Sequence, residues 1–250
     1  MIPYDDPTTL SLLFHLNSEP WLNIEAYESA AYEIEYKELV PPGKALALPA
    51  PEESPLFKLL ERRKSCRQYQ VRFMPLAVFS TVLKAAYGIV RLSRMPGSDE
   101  NGFFRTVPSA GGLFPLDVYC VTQKIEGASD GLHHYNVRDH SLETIRAGNI
   151  FADLHEAMLA DPLIQNANMV IFLTTEFVRS QKKYGPRGYR YMLLEAGHVA
   201  QNICLAAVEQ GLGSLCIGGF IDSKLNRYLG FDGIGEAVLY ALAVGYPAES

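Results

Sequence analysis

No run of apolar residues in the chain approaches the ~18 that a membrane-spanning helix needs. The amino terminus, Met1-Ile2-Pro3-Tyr4-Asp5-Asp6, is acidic and lacks the basic and apolar regions of a secretory signal, so a soluble, cytoplasmic protein is expected. A basic block is missing too: 22 Lys and Arg stand against 28 Asp and Glu, a net charge of −6. The electrostatic footprint of a nucleic-acid binder is therefore absent. Cysteine is scarce, and Cys66, Cys120, Cys204 and Cys216 form no Cys-x-x-Cys pair. Disulfides are not expected; three of the four sit among apolar or small neighbours, as buried thiols do. The six histidines lack zinc spacing, since His133 and His134 are adjacent and diverge along a strand, and no structural metal is expected. Neither a G-x-G-x-x-G fingerprint nor a P-loop is complete, which leaves dinucleotide-binding and nucleotide-hydrolysing folds without support.

What is present fits one large domain with an arm. Residues 1–55 are acidic, carry Tyr27, Tyr32 and Tyr36, and end in Pro41, Pro42, Pro49, Pro51 and Pro55. Such a stretch reads as an extended arm and linker ahead of a folded domain at 56–250. A helix is expected from about Pro55 through Arg63, and a second from Pro75 to near Gly88 with Leu76, Phe79, Val82, Leu83, Ala86 and Tyr87 on its apolar face. Arg94 to Asn101 reads as a loop. Strands are expected at Leu116 to Thr122, as a short pair within Gly131 to Thr144, at Met169 to Thr175, at Gly213 to Ile217 and at Val238 to Val244.

The densest chemistry lies in Lys182-Lys183-Tyr184-Gly185-Pro186-Arg187-Gly188-Tyr189-Arg190-Tyr191, which runs into a nearly uncharged helix from Met192 to Asn202. Met192, Val199, Ile203 and Ala206 share one face; Tyr191, Glu195, His198 and Asn202 form a polar stripe on another. So few charges predict burial on both faces, and the stripe then needs partners from a ligand, a second subunit or the core. Lys183-Tyr184 is the acid-base candidate, with an ordinary surface pair as the alternative. A tyrosine acting as a base near neutrality must shift by about three units, or roughly 4 kcal/mol. One ammonium about 4 Å away, at an effective dielectric near 20, supplies roughly that much. Adjacent residues diverge on a regular helix, so the pair needs the irregular backbone that Gly185-Pro186 offers.

Arg62-Arg63-Lys64-Ser65-Cys66-Arg67 joins four cations to a hydroxyl. It reads either as a solvated turn or as a phosphate site. The small-residue loop Thr106-Val107-Pro108-Ser109-Ala110-Gly111-Gly112 is either a plain turn or a place where backbone approaches a flat ligand. Gly218-Gly219, after a buried strand, is another such place.

Together these segments resemble the flavin-dependent nitroreductase superfamily and, within it, the SagB-type dehydrogenases, azoline oxidases that make thiazoles and oxazoles in ribosomal peptides. Arg63, Ser65 and Arg67 match the family's Arg-x-Ser-x-Arg element; Ala85 to Gly88 match its Ala-Ala-Tyr-Gly helix end; Pro108 to Gly111 match its Pro-Ser-Ala-Gly loop. Lys183 to His198 match Lys-Tyr-Gly-x-Arg-Gly-Tyr-Arg-Tyr-x-Leu-Leu-Glu-Ala-Gly-His almost without a break, and Phe14 to Ser18 resemble its amino-terminal His-x-Asn-Ser element.

The resemblance implies an α+β fold, a central mixed or antiparallel sheet flanked by helices, in an intertwined homodimer with FMN at each interface. By it, Arg63, Ser65 and Arg67 hold the ribityl phosphate and ring edge. Pro108, Ser109, Ala110 and Gly111 meet the isoalloxazine from the partner chain, and Gly218 and Gly219 approach its other side. Lys183 and Tyr184 are the implied catalytic pair: Tyr184, assisted by Lys183, takes a proton from an azoline ring of a peptide while hydride passes to flavin N5, and oxygen reoxidises the flavin. A cyclodehydratase is the implied partner. An NAD(P)H-dependent nitro- or quinone reductase, a flavin dehydrogenase of another peptide-derived or amino-acid-derived substrate, and a non-catalytic subunit of a peptide-modifying complex remain as alternatives. Many superfamily members carry basic phosphate ligands after the final strand, where this chain has Gly245-Tyr246-Pro247-Ala248-Glu249-Ser250; fewer cations are expected to hold FMN.

Overall fold

A computed structural model describes residues 9–19, 36–41, 43–94, 101–154, 156–159 and 161–248. Among the described residues, six α-helices and eight strands follow the order α1 (Thr9–Asn17), α2 (Pro55–Arg62), α3 (Leu76–Tyr87), β1 (Ile89–Arg94), β2 (Asn101–Arg105), β3 (Leu116–Thr122), β4 (Gly131–Asn136), β5 (Ser141–Ala147), β6 (Met169–Glu176), α4 (Val178–Tyr184), α5 (Arg187–Glu209), β7 (Gly213–Ile217), α6 (Asp222–Leu229) and β8 (Glu236–Gly245). The main sheet runs β5-β4-β3-β6-β8-β7 and is antiparallel throughout.

The apolar run of β6 explains the layering. Flanked by β3 and β8, every residue from Met169 to Thr175 is buried. Side chains alternate across a strand, so Met169, Ile171 and Leu173 face a core built with Phe79, Tyr87, Met192, Val199 and Ile203 of α3 and α5. Val170 and Phe172 face the opposite core, with Leu154, Ile164, Phe220 and Leu225. A strand covered on both faces needs apolar residues at every position, which is why the run is continuous rather than alternating.

Helix starts and stops follow local chemistry. The Ser54 hydroxyl accepts from the Phe57 N–H at 3.0 Å, and Pro55 opens α2 where its missing N–H is harmless. Helix α3 begins behind Pro75, ends before Gly88, and buries Phe79, Val82, Leu83, Ala86 and Tyr87; Leu76, expected on that face, is exposed. After α2 the chain lies along the edge of β7: Ser65 bridges Ser214 in parallel, and the Cys66 N–H donates to the Ser214 carbonyl at 2.9 Å.

Three expectations change. Strands β1 and β2 pair with each other on either side of the segment read as a loop, whose residues 95–100 lie outside the described residues. Within the stretch read as an extended arm, α1 is helical and docks through His15, whose Nδ1 lies 3.1 Å from Tyr189 Oη, and through Phe14 against the Tyr189 ring. The described parts of 36–54 carry no helix or strand, while Tyr27 and Tyr32 lie outside the described residues. Finally, α5 is buried on one side only: Leu193, Leu194, Gly197, His198 and Gln201 are exposed in the single chain.

The buried Asn226 on α6 accepts the Val238 N–H of β8 at 2.9 Å. Asn226→Ala leaves that donor without a partner in the core and is expected to cost about 1–3 kcal/mol, read as a lower urea midpoint with an unchanged slope.

Candidate active site

The corner between α4 and α5 places the strongest chemical motif. Gly185 breaks the helix with φ 56° and ψ −145°, so Lys183 and Tyr184 are the last two residues of α4 and α5 starts at Arg187. At this end the two side chains no longer diverge: Lys183 Nζ sits 5.4 Å from the centroid of the Tyr184 ring. Tyr191 also packs edge-on against the ring at 5.0 Å. Gly188 lets the two helices close up, since a Cβ there would lie 2.9 Å from the Ser180 carbonyl carbon.

The small-residue loop meets this corner. A 3-10 turn at Ala110–Gly112 carries Gly111 at φ 62°, a conformation that favours glycine. A Cβ at Gly111 would collide with Tyr184 Oη and come within 2.7 Å of Lys183 Nζ. Pro108 to Gly111 and Lys183-Tyr184 therefore form one constellation within one chain. It opens on a cavity of about 830 Å³ lined by Arg105, Ser109, Gly111, Phe114, Arg138 and Lys183.

Much of the polar stripe on α5 finds its partners in the protein and holds this loop in place. The Glu195 carboxylate accepts from Tyr87 Oη at 2.5 Å and from the Ser109 hydroxyl, while Asn202 Nδ2 donates to the carbonyls of Ala85 and Thr106. The Leu116 N–H donates to Tyr87 Oη, and the Phe114 N–H to Ser109 Oγ. Burial raises the Glu195 carboxyl above its ordinary value, against the pull of Ser109, Tyr87, Arg105 and His198. Burial and the Glu195 charge push the Tyr87 hydroxyl up, so the shared proton stays on the phenol. Arg105 covers the Tyr87 ring at 4.0 Å and Phe114 at 5.2 Å, and its Nη1 is buried without a hydrogen-bond partner among the described residues. Nothing in the sequence pattern singled out Arg105, an isolated cation at the end of a short strand.

The second group of candidates lies elsewhere. Arg62 donates to the Val208 carbonyl near the end of α5, which places Arg63, Ser65 and Arg67 beside that end and the β7 edge, followed by Gly218 and Gly219. Lys183 and Tyr184 stand beside the other end. Twenty-three residues of helix separate the two, roughly 34 Å at 1.5 Å per residue. One chain does not bring the two groups together. Among the described residues neither Arg63 nor Arg67 pairs with a carboxylate, and no heavy atom lies within 4 Å of a Cβ built at Gly218.

Residues 60–246 match the model of the nitroreductase family. The chain belongs to the nitroreductase family. Membership makes it an oxidoreductase, and the α+β architecture with an antiparallel sheet between helices is the family's. MJ1384 of Methanocaldococcus jannaschii, named for the nitroreductases, is 35% identical over 204 residues, covering 82% of this chain and 97% of its own. The trifolitoxin-processing protein TfxB of Rhizobium leguminosarum bv. trifolii is 32% identical over 145 residues, 56% of this chain and 39% of TfxB. Among solved structures, a chain of the Escherichia coli microcin synthetase McbBCD complex with truncated pro-MccB17 bound superposes with TM-score 0.70 at 20% identity, covering 97% of this chain and 94% of that one. A nitroreductase from Desulfovibrio desulfuricans in complex with FMN superposes at 0.54 and 16% identity, over 79% and 89%.

The raised Glu195 carboxyl fixes a sign. A group whose folded value is raised contributes stability that is fully present below its unfolded value and is lost as pH rises through the folded one. Relative to Glu195→Gln, the parent protein is expected to lose stability as pH rises from 4.5, the ordinary glutamate value, through the elevated range. Urea midpoints of both proteins across that interval test this; parallel curves would contradict it.

Proposed function

We propose that this nitroreductase-family chain is an FMN-dependent dehydrogenase that oxidises an azoline ring of a peptide to the aromatic azole. The observation that carries this is the convergence of Lys183 and Tyr184 on Gly111 at the mouth of a cavity large enough for a heterocycle and its flanking residues. TfxB is a peptide-processing relative, and the McbBCD complex holds a pro-peptide, which supports a peptide as substrate. A cyclodehydratase that makes the azoline is the matching partner.

The residues present fit FMN. Arg63 and Arg67, free of carboxylate partners among the described residues, and the exposed Ser65 hydroxyl suit a phosphate. The open backbone at Gly218 suits a flat ring. When bound, FMN supplies the hydride acceptor, and oxygen reoxidises it. Tyr184 Oη takes the ring proton as its phenolate, whose negative charge the neighbouring Lys183 ammonium stabilises beforehand and the incoming proton neutralises. Gly111 keeps the space above both atoms clear of side chain. Aromatisation favours the product, so orientation and a placed base are the protein's main tasks.

Because the two groups lie at opposite ends of α5, each site is completed by a second copy. Arg63, Ser65, Arg67, Gly218 and Gly219 come from one subunit, and Pro108, Ser109, Ala110, Gly111, Lys183 and Tyr184 from its partner. The apolar side chains left exposed on α2 and α5, Leu56, Phe57, Leu60, Leu193 and Leu194, are the surface such a homodimer covers.

A second reading, an NAD(P)H-dependent nitro- or quinone reductase, is favoured by the name of the M. jannaschii relative. Anaerobic addition of an azoline peptide separates the two: bleaching of the flavin band by peptide alone is expected, whereas bleaching only by NAD(P)H would support the reductase. Tyr184→Phe is expected to keep FMN while slowing peptide-driven reduction by about 10²–10⁴-fold; an unchanged rate would remove Tyr184 as the base. For the shared site, the inactive double variants Arg63→Ala/Arg67→Ala and Lys183→Ala/Tyr184→Phe are mixed as subunits. In a two-fold dimer, random exchange restores roughly a quarter of parental activity; none returns if each site lies within one chain.

A further inference from the structure

Cys204 on α5 and Cys216 on β7 are 12 residues apart in sequence, and their sulfurs lie 3.6 Å apart. Cys204 is buried and Cys216 is exposed, so one thiol of the pair is open to solvent and the other is held behind it. Arg63 stands close enough to act on both sulfurs, and Tyr240 is hydrogen-bonded to Cys216. We propose that this pair is a peroxide-reactive dithiol, with Cys216 as attacking thiol and Cys204 as resolving thiol, and that its product is an internal disulfide tying α5 to β7.

The electrostatics agree with that division of labour. With Cys204 as the S–H donor, the Cys216 thiol is drawn down, against burial and with help from Tyr240 and Arg63. Cys204, as the donor in a drier position, is pushed up. The thiolate is the nucleophile, and a partly exposed one beside a guanidinium is the reactive kind. The other two thiols differ. Cys120 is fully buried on β3, which raises it without any compensating neighbour, and the Cys66 thiol donates to the Gln68 carbonyl at 3.2 Å.

Closing the bond brings the sulfurs from 3.6 Å to about 2.05 Å, an approach of roughly 1.5 Å. In the first step the Cys216 thiolate attacks a peroxide oxygen. An S–O bond forms, the O–O bond breaks, hydroxide leaves, and sulfur is oxidised by two electrons to a sulfenic acid. In the second, Cys204 sulfur attacks that sulfur. An S–S bond forms, the S–O bond breaks, and the Cys204 proton leaves with hydroxide as water. Overall two thiols and one hydrogen peroxide give one disulfide and two waters. Reoxidation of a flavin by oxygen releases hydrogen peroxide, and that local supply rests on the proposed reaction; the thiol chemistry does not.

The test uses the whole chain, reduced and freed of reductant, titrated with hydrogen peroxide, alkylated under denaturing conditions and mapped by mass spectrometry. Two of the four thiols are expected to disappear with about one equivalent of peroxide, in a dithiothreitol-reversible peptide pair joining Cys204 to Cys216. Cys66→Ser should behave as the parent. Cys204→Ser should instead accumulate a Cys216 sulfenic acid that dimedone traps. Four alkylatable thiols after excess peroxide, a link through Cys66, or dimedone capture at Cys216 in the parent would each overturn the proposal. If Cys204→Ser does not fold, the parent map and Cys66→Ser decide alone. A Cys204–Cys216 disulfide in a protein whose flavin no peptide reduces would keep this inference and remove the dehydrogenase one.

Discussion

A single buried acid organises the centre of this molecule. Glu195 sits in the middle of α5 with almost no access to water, where an unpartnered carboxylate would be costly. Its position is tolerable because Tyr87, at the end of α3, and Ser109, in the loop after β2, both hydrogen-bond to it. Seven residues on, Asn202 fastens the same helix to Ala85 and Thr106. Two polar side chains, two helical turns apart, thus clamp both sides of the β1–β2 ribbon's connection to the sheet. The loop that carries Gly111 hangs from this clamp, and through it α3, α5 and the start of β3 share one hydrogen-bond network.

Much of this could be read from residues alone, because the strong signals were local. The limits of β3 and β7 agree with their apolar runs, and β6 and β8 extend theirs by a residue or two at the ends. The helices at Pro55 and after Pro75 begin where proline and a capping serine place them. Strands β1 and β2 escaped because Ile89–Arg94 mixes apolar and basic residues, Asn101–Arg105 is short and holds a glycine, and the ribbon lies apart from the main sheet. Helix α1 escaped because it owes its order to tertiary contacts of His15 and Phe14 rather than to a strong amphipathic pattern.

For the site, residue types were legible and distances were not. Lys183-Tyr184 and Pro108–Gly111 each stood out, yet only the fold brings segments some seventy residues apart into contact. The polar stripe on α5 held two kinds of residue that a helical wheel cannot separate: Glu195 and Asn202 turn inward to the protein's own groups, while His198 stays at the surface. The uncharged outer face of α5 was expected to be buried and is bare in one chain, so a pattern caused by packing does not say whose packing. The Cys204–Cys216 approach had no sequence signal, since it joins a helix to a strand across a turn.

The contact at Gly188 gives the α4–α5 corner a character that its irregular backbone hides. With no Cβ to hold them apart, Gly188 and Ser180 bring the two helices into direct backbone contact, and Tyr191 packs edge-on against Tyr184. The corner packs the Tyr184 and Tyr191 rings against each other beside Gly111 within the fold itself. Their conformational entropy is lost during folding rather than during recognition, so a molecule entering the cavity meets a template instead of shaping one.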